Sequence, residues 1–427
     1  MKLQHKEKSK GSFFQKIWLV LLAIGPGIFG VGYTIGTGSV TSMATAGSRF
    51  GMQLIWVLLI SCIFSWVLME AYGRFAIVTG KTAINSFRRE FKLGTLIAIL
   101  VTAGIVIAQW NSLNGILALS SNGIYELLAL FIPGLTVDKY WIVLGIAITL
   151  IIFLYLMLLV GRYSFFEKIL VVFVTIMGLT FISSLFIVFP QPEDLARGFI
   201  PSIPEVEGGR LLVAAFVGTT MAAPTFIVRP LLLRGKGWDQ NNLREQSRDA
   251  LFSAILMFVI SGSVMAAATG AMYYDGKQIS KVLDMVNILE PIAGKMAVTI
   301  FMFGALSAGI SSIFPILMVA PLLIADYRSG ELDIKSRQFK ILTAISCIIG
   351  LIVPILGTNP IIAQIATQVA NVFVLPLVIG AILFLINSRR LMGENKAGFW
   401  LNLGLITAFF FSCIISWTGL RALAEIL

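Results

Sequence analysis

The chain has 427 residues, of which 58% are hydrophobic and 12% charged, whereas about 25% of the residues of an average soluble domain are charged. Its mean hydropathy is +0.92, and its long apolar stretches lack the polar face that a surface helix of a soluble protein needs. This composition excludes a large soluble protein, and the distribution of the net charge of +11 points to a membrane rather than to nucleic acid.

Eleven stretches are long enough to cross a bilayer, which takes about 20 apolar residues. They lie at 17–47, 52–79, 94–122, 139–160, 165–190, 211–233, 250–274, 291–325, 337–356, 359–388 and 398–426. Residues 1–16 are polar and rich in lysine, which predicts a cytoplasmic tail rather than a cleaved signal sequence. The sequence therefore predicts an all-α, polytopic membrane protein with 11 transmembrane helices.

Basic residues fall on alternate loops of this arrangement. With the N-terminus inside, inner loops carry residues such as Arg88, Arg234 and Arg390, whereas outer loops carry acidic residues such as Glu193 and Asp275. Inner loops of membrane proteins are enriched in lysine and arginine. We therefore predict an integral protein of the cytoplasmic (plasma) membrane with its N-terminus inside and its C-terminus outside.

Two spans contain a predicted break in the helix. The first has two glycines, a threonine and a serine in one turn, a composition that lowers helix stability, and the sixth has a proline, which removes a backbone donor. Unwound backbone within a membrane must line a cavity or bind a ligand, and paired broken helices mark the substrate site of many secondary transporters. The predicted substrate-binding residues, completed from the tenth span, are Gly36, Thr37, Gly38, Ser39, Thr219, Ala222, Ala223, Pro224, Gln368 and Asn371.

The positions of the breaks divide the chain into two halves of five spans each. An odd number of spans per half places the halves in opposite orientations, which is the inverted-repeat arrangement of transporters. The predicted units are a tail at 1–16, a first five-helix repeat at 17–190, an outer loop at 191–210, an inverted second repeat at 211–388, and an inner loop with the eleventh helix at 389–427.

Amide side chains also lie within the spans. Gln109, Asn111 and Asn114 belong to the third span, and Gln368 and Asn371 to the tenth. Residues three apart share a helix face, as Asn111 and Asn114 do, and likewise Gln368 and Asn371. Each pair fits either the wall of a polar cavity or hydrogen bonds between helices. We predict that the three amides of the third span line the transport pathway.

Two ionisable residues, Glu70 and Arg229, lie near the inner ends of the second and sixth spans. Three interpretations of Arg229 stay open: a fixed positive charge in an inner vestibule, a side chain that extends towards lipid phosphates, and an ion pair with Glu70. In the first, Arg229 would repel cations or receive an anion.

The remaining reactive side chains exclude several functions. Cys62, Cys347 and Cys413 lie in apolar spans, where cysteine acts as a small hydrophobic residue, and the single histidine, His5, lies in the tail. We therefore expect no disulfide, no histidine-ligated metal site and no cofactor. A nucleophile paired with a base is also missing from the sequence, which argues against an enzyme.

Eight short motifs resemble those of the Nramp family of divalent-metal transporters, in family order from about residue 20 to 395. They are Ala46-Gly47-Ser48-Arg49-Phe50-Gly51, Val78-Thr79-Gly80-Lys81, Phe166-Glu167-Lys168-Ile169, Pro201-Ser202-Ile203-Pro204, Ala308-Gly309-Ile310-Ser311-Ser312, Gln368-Val369, Leu375-Pro376 and Ser388-Arg389-Arg390-Leu391-Met392-Gly393-Glu394. The resemblance implies an amino-acid-transporter-like fold with broken helices 1 and 6, plus an appended helix.

The chain departs from the family at the metal ligands. Family members bind metal with an Asp-Pro-Gly-Asn motif in the first helix and a Met-Pro-His motif in the sixth, and the aligned residues here, 36–39 and 222–224, keep only Gly38 of the first motif. The acidic residues usual in the third span are replaced by amides, and a family histidine by Arg229. No side-chain metal ligand of the usual type is predicted, and no proton route of the usual kind.

These observations predict a secondary transporter that resembles Nramp metal-ion transporters but does not act as a standard manganese or iron proton symporter. Its partners are then a small solute or cation and the lipid bilayer. Two alternatives stay open: an Nramp-like carrier of an organic or anionic solute, and a membrane sensor or scaffold that does not transport.

Overall fold

A computed structural model describes residues 27–132, 138–159, 163–204, 208–279, 284, 290–328 and 335–424. The helices in chain order are α1 (Gly27–Thr34), α2 (Thr37–Phe50), α3 (Ile55–Thr79), α4 (Ala83–Glu90), α5 (Gly94–Phe131), α6 (Lys139–Leu159), α7 (Tyr163–Ile187), α8 (Pro192–Gly198), α9 (Gly209–Thr220), α10 (Ala223–Gly235), α11 (Leu243–Ala268), α12 (Glu290–Arg328), α13 (Arg337–Gly350), α14 (Ile352–Leu356), α15 (Pro360–Val372), α16 (Leu375–Asn387), α17 (Arg389–Met392) and α18 (Phe399–Ala424). A 3₁₀ turn, Gln240–Asn242, precedes α11, and a π-helical turn, Thr269–Tyr273, follows it.

Within these ranges, ten helical segments are long and apolar enough to cross a membrane, and they correspond to the second to eleventh predicted spans. The predicted tail and the start of the first span, residues 1–26, lie outside the described residues. The sixth span lies at the centre of the bundle, since 94% of the residues in its hydrophobic stretch are buried. In the eleventh span, only 22% of the residues in the corresponding stretch are buried.

The first span is broken, but earlier than predicted. The non-helical residues are Ile35 and Gly36, and α2 already begins at Thr37. Gly36 is extended, and its carbonyl accepts the Val40 N–H at 3.0 Å, which closes the first turn of α2. The prediction that 36–39 is unwound throughout was therefore wrong for residues 37–39, because Ile35 and Gly36 make the turn and Gly36 caps the second half-helix.

The sixth span is broken at the predicted place. Helix α9 ends at Thr220, Met221 and Ala222 are non-helical, and α10 begins at Ala223. Pro224 lies in the first turn of α10, where its missing N–H costs no helical hydrogen bond. The proline therefore starts the second half-helix and does not kink a continuous one.

An interruption of the tenth span was not predicted. In the tenth span, Phe373 and Val374 separate α15 from α16, and Pro376 lies in the first turn of α16. Asn371 is therefore one residue from the end of α15.

Candidate functional site

A small buried cavity lies where the first and sixth spans are broken. Its volume of about 10 Å³ is about the smallest space that holds one water molecule. The two breaks contribute backbone and small side chains, and the third, eighth and tenth spans complete the wall. The lining residues are Tyr33, Gly36, Gly38, Gln109, Ser112, Ile116, Thr219, Ala222, Ile316, Gln368 and Asn371.

A chain of hydrogen bonds joins the polar side chains of the wall. Gln109 Nε2 donates to Asn371 Oδ1 at 2.9 Å, and Asn371 Nδ2 donates to Gln368 Oε1 at 3.2 Å. Gln368 Nε2 then donates to Ser112 Oγ at 3.0 Å. All four groups are neutral and buried, so the wall offers oxygen and amide groups without a net charge.

Six of the ten predicted substrate-binding residues line this cavity, namely Gly36, Gly38, Thr219, Ala222, Gln368 and Asn371. The other four, Thr37, Ser39, Ala223 and Pro224, lie outside its lining. The hydroxyl of Ser39 is 3.0 Å from that of Ser261 on α11, so this side chain contacts the neighbouring helix.

Four lining residues were not predicted: Tyr33, Ser112, Ile116 and Ile316. A helical spacing signal exists for two of them, because Gln109, Ser112 and Ile116 are three and four residues apart and share one face of α5. Tyr33 could have been inferred from its position one turn before Gly36. No signal in the sequence points to Ile316.

The predicted pathway residues Asn111 and Asn114 lie away from the cavity. Asn111 is exposed on the surface of the bundle and donates to the Ile107 carbonyl of its own helix at 3.0 Å. Asn114 donates to the Trp110 carbonyl at 3.1 Å and accepts from the Val353 N–H at 3.3 Å. Of the three amides of the third span, only Gln109 therefore belongs to the cavity wall.

Arg229 forms a buried ion pair with Asp249. Its Nη2 lies 2.6 Å from Asp249 Oδ2, and the two side chains are 2% and 1% exposed. The same nitrogen donates to Gln246 Oε1 at 2.8 Å. The other Asp249 oxygen, Oδ1, accepts the Gly27 N–H at 3.1 Å. Arg229 is thus neutralised by a carboxylate that the sequence did not single out.

Glu70 belongs to the same cluster but pairs with a different arginine. Arg74 Nη2 lies 2.9 Å from Glu70 Oε1. Gln246 Nε2 and Ser247 Oγ donate to Glu70 Oε2 at 2.8 and 2.7 Å. Gln246 therefore links the two ion pairs. Of the three interpretations of Arg229, a direct pair with Glu70 is not what the structure has, since this bridge lies between them. The cluster joins α1, α3, α10 and α11.

The cavity lacks the side chains that bind transition metals. Among the described residues, no three histidine, cysteine, aspartate or glutamate side chains come close enough together to hold a metal ion. The break in the first span also has no room for a side chain, because a Cβ at Gly36 would overlap Ser312 Oγ. A cation in this cavity would be held by amides, hydroxyls and backbone carbonyls.

The family model and the related sequences that match this chain all belong to one family. The family model for natural resistance-associated macrophage protein-like (Nramp) proteins matches residues 27–421. The divalent metal cation transporter MntH of Nostoc sp. is 23% identical over 97% of this chain and 93% of its own length. MntH of Listeria monocytogenes is 24% identical over 92% and 87%, respectively.

Comparison with solved structures gives the same fold. The Eremococcus coleocola manganese transporter, solved with an aromatic bis-isothiourea compound, has a TM-score of 0.70 at 16% identity, covering 97% of this chain and 88% of that one. MhsT in complex with L-phenylalanine has a TM-score of 0.62 at 14% identity, covering 94% and 97%.

These matches establish the fold as two inverted five-helix repeats with broken helices 1 and 6, followed by an appended helix. They cover nearly the whole chain and agree with the two breaks that meet at the cavity. The chain is therefore a polytopic integral membrane protein that belongs to the Nramp family.

Proposed function

We propose that the protein is a secondary transporter that carries a metal cation through the cavity between the two broken helices. The observation that carries this proposal is the position and size of the cavity, which lies at both breaks and has room for one water-sized particle. Such a space favours an ion over an organic solute. Relatives named as divalent metal cation transporters support the same substrate class.

The oxygen atoms that line the cavity favour a hard cation as the ligand. Carbonyl and water oxygens suit Mg²⁺, Ca²⁺ and Mn²⁺, whereas thiolate, thioether and imidazole groups select softer transition metals. Gln109, Gln368 and Asn371 supply carbonyl oxygens, and Ser112 and Thr219 supply hydroxyls. Because no carboxylate among the lining residues balances a double charge, we infer that the ion binds weakly.

Proton coupling through the cavity is not part of the proposal. The amides of the wall do not change charge at physiological pH. Glu70 and Asp249 are each paired with an arginine outside the cavity. We therefore expect uptake of the cation to depend little on an imposed pH gradient.

The alternative of an anionic solute has lost one of its supports, the charge of Arg229. That charge is paired with Asp249 and buried, so it is not available to attract an anion into a vestibule.

The first prediction tests the role of the cavity amides. We expect Gln109→Leu to lower the initial rate of Mg²⁺ or Mn²⁺ uptake into proteoliposomes at least about tenfold, which corresponds to a loss of roughly 1.4 kcal/mol. Gln109→Leu removes a carbonyl oxygen that would bind the cation. It also removes the amide N–H that donates to Asn371 Oδ1.

The matched control is Asn111→Leu, which removes an exposed amide from the same helix, and we expect its uptake to stay near that of the wild type. Equal uptake by both variants would contradict a cavity role for Gln109. A wild-type protein that takes up an organic acid or amino acid but no metal cation would overturn the proposed function.

For the membrane location we retain the prediction from the charged loops: the plasma membrane, with the N-terminus inside. Attachment of a membrane-impermeant maleimide to single cysteines placed at Arg234 and at Asp275 in intact cells tests this orientation. Labelling at 275 and none at 234 is the expected result.

A further inference from the structure

A second cavity lies where the third, fourth, ninth and tenth spans end on one side of the bundle. Its volume is about 640 Å³, which is within the range of small-molecule sites, about 300–1,000 Å³. The walls come from the last turns of α5, the first turns of α6, the short helix α14 and the segment that leads into α15. Among the described residues, none of those that line this cavity also lines the cavity between the broken helices.

Helix α5 separates the two cavities. Ala118, Asn122 and Glu126 line the larger cavity at intervals of four residues, which places them along one side of the helix. Ser112 and Ile116 line the cavity at the breaks, and at about 100° per residue they lie on another side of α5. An occupant of the larger cavity would therefore not contact the proposed transport site.

One charge of each sign borders the larger cavity, at different depths. The side chain of Glu126 is 9% exposed, whereas that of Lys139, at the start of α6, is 50% exposed. Lys139 Nζ lies 2.5 Å from Glu126 Oε1 and 5.1 Å from the centroid of the Tyr125 ring. A carboxylate can accept about four hydrogen bonds, so Glu126 can accept further donors. The negative charge is thus deep, and the positive charge is at the rim.

The remaining wall is apolar and continues into the surface that faces lipid. Val143 of α6 and Pro354 of α14 line the cavity. The next residues of α14, Ile355 and Leu356, are large, apolar and exposed. Trp141 of α6 is also exposed, and tryptophan is enriched where the membrane meets water. A ligand with an apolar tail could therefore extend from the cavity into the bilayer.

We propose that this cavity binds a phospholipid whose headgroup carries a primary ammonium and a phosphate, namely phosphatidylethanolamine. The ammonium contacts Glu126 and the phosphate contacts Lys139 at the rim. In this lipid the ammonium is farthest from the acyl chains, and the phosphate lies between them. The same order is found in the protein, from the buried carboxylate through the half-exposed lysine to the exposed apolar residues of α14.

The buried carboxylate selects among headgroups. A primary ammonium has three N–H donors, whereas the trimethylammonium group of phosphatidylcholine has none, and phosphatidylglycerol has no cation to place against Glu126. Asn122 uses its Nδ2 to donate to the Ala118 carbonyl at 2.8 Å, so its Oδ1 is the amide atom that can accept from the ammonium. The phosphate is favoured by Lys139 and by the partial positive charge at the N-terminus of α6.

A bound lipid would join helices that have few other polar links on this side. Tyr140 already connects α6 to α14, because its hydroxyl donates to the Ile355 carbonyl at 2.8 Å. A ligand that binds only the folded protein raises its stability, so occupation of the cavity should be visible in thermal unfolding. Lipid binding does not depend on the proposed transport function.

The test is thermal unfolding of the purified full-length protein in detergent micelles that contain increasing fractions of one lipid. We expect a saturable rise of the melting temperature with phosphatidylethanolamine and a much smaller rise with phosphatidylcholine or phosphatidylglycerol. Glu126→Gln keeps the size of the side chain but loses a charge-assisted hydrogen bond, so the half-saturating lipid fraction should increase at least about tenfold. Val143→Phe fills the cavity, keeps both charges and should also abolish the response.

The matched control is Glu193→Gln, which neutralises a carboxylate that is 82% exposed and should keep the full response. An equal rise with all three lipids, or an unchanged response in Glu126→Gln, would overturn the site. Soluble phosphoethanolamine, added without lipid, distinguishes the two sources of this headgroup. If it raises the melting temperature as much as the lipid does, the assignment to a phospholipid is wrong.

Discussion

Asp249→Ala is expected to lower the free energy of unfolding by about 3–5 kcal/mol, the usual effect of removing one partner of a buried ion pair. Arg229, whose side chain is 2% exposed, would lose its carboxylate partner, and the Gly27 N–H would lose its acceptor. Both consequences act on the contact between α1, α10 and α11. Thermal unfolding of the purified protein in detergent, followed by the fluorescence of its tryptophans, measures the change.

The matched control is Arg197→Ala, which breaks an ion pair with Glu193 whose side chains are 76% and 82% exposed. Exposed pairs contribute little, so this variant should unfold like the wild type. In the double variant Arg229→Leu with Asp249→Leu, much of the lost stability should return, because no uncompensated charge is left. If Asp249→Ala and Arg197→Ala unfold at the same temperature, the pair does not stabilise the bundle.

Gly218→Ala is expected to reduce both stability and cation uptake strongly. A Cβ at this position would overlap the backbone carbonyl oxygen of Gln368, where α9 crosses α15. Small residues allow the backbones of membrane helices to approach closely, and overpacking a tight contact costs about 1–3 kcal/mol. Because Gln368 lines the cavity, the forced separation of the helices would also alter the site.

Gly145→Ala is the matched control for this prediction. Gly145 is an exposed glycine within α6, and a Cβ there meets no atom within 4 Å. The same substitution should therefore be neutral or slightly stabilising, since alanine restricts the unfolded chain more than glycine does. Comparable losses in the two variants would show that the effect of Gly218→Ala does not come from the crossing of α9 and α15.

The sequence was sufficient to predict the two breaks, because Gly36 and Pro224 act locally. Gly36 caps α2 without a side chain, and Pro224 lies in the first turn of α10, where its missing N–H costs no helical hydrogen bond. The start of α2 at Thr37 could not be predicted from such a local signal. Helix propensity is a weak preference that tertiary contacts override, and Thr37 and Ser39 are buried among neighbouring helices.

The partner of Arg229 was missed for a related reason. The seventh span was predicted to begin at residue 250, so Gln246 and Asp249 fell into a loop. Helix α11 begins at Leu243, and its polar first turns enter the bundle, where they face Arg229 and Glu70. A hydropathy pattern does not reveal that a polar helix end is buried, because contacts with charged residues of other helices are what stabilise that end inside the bundle.

The hydrogen bonds among Gln109, Asn371, Gln368 and Ser112 also have a kinetic consequence. These groups already satisfy one another, so in the proposed function an arriving ion would have to replace bonds that the wall makes in its absence. The net free energy gained on binding would then be small, and the ion would leave readily. Conduction through a protein requires binding that is weak enough to permit release. Such a site suits rapid turnover at high substrate concentration rather than the scavenging of a scarce metal.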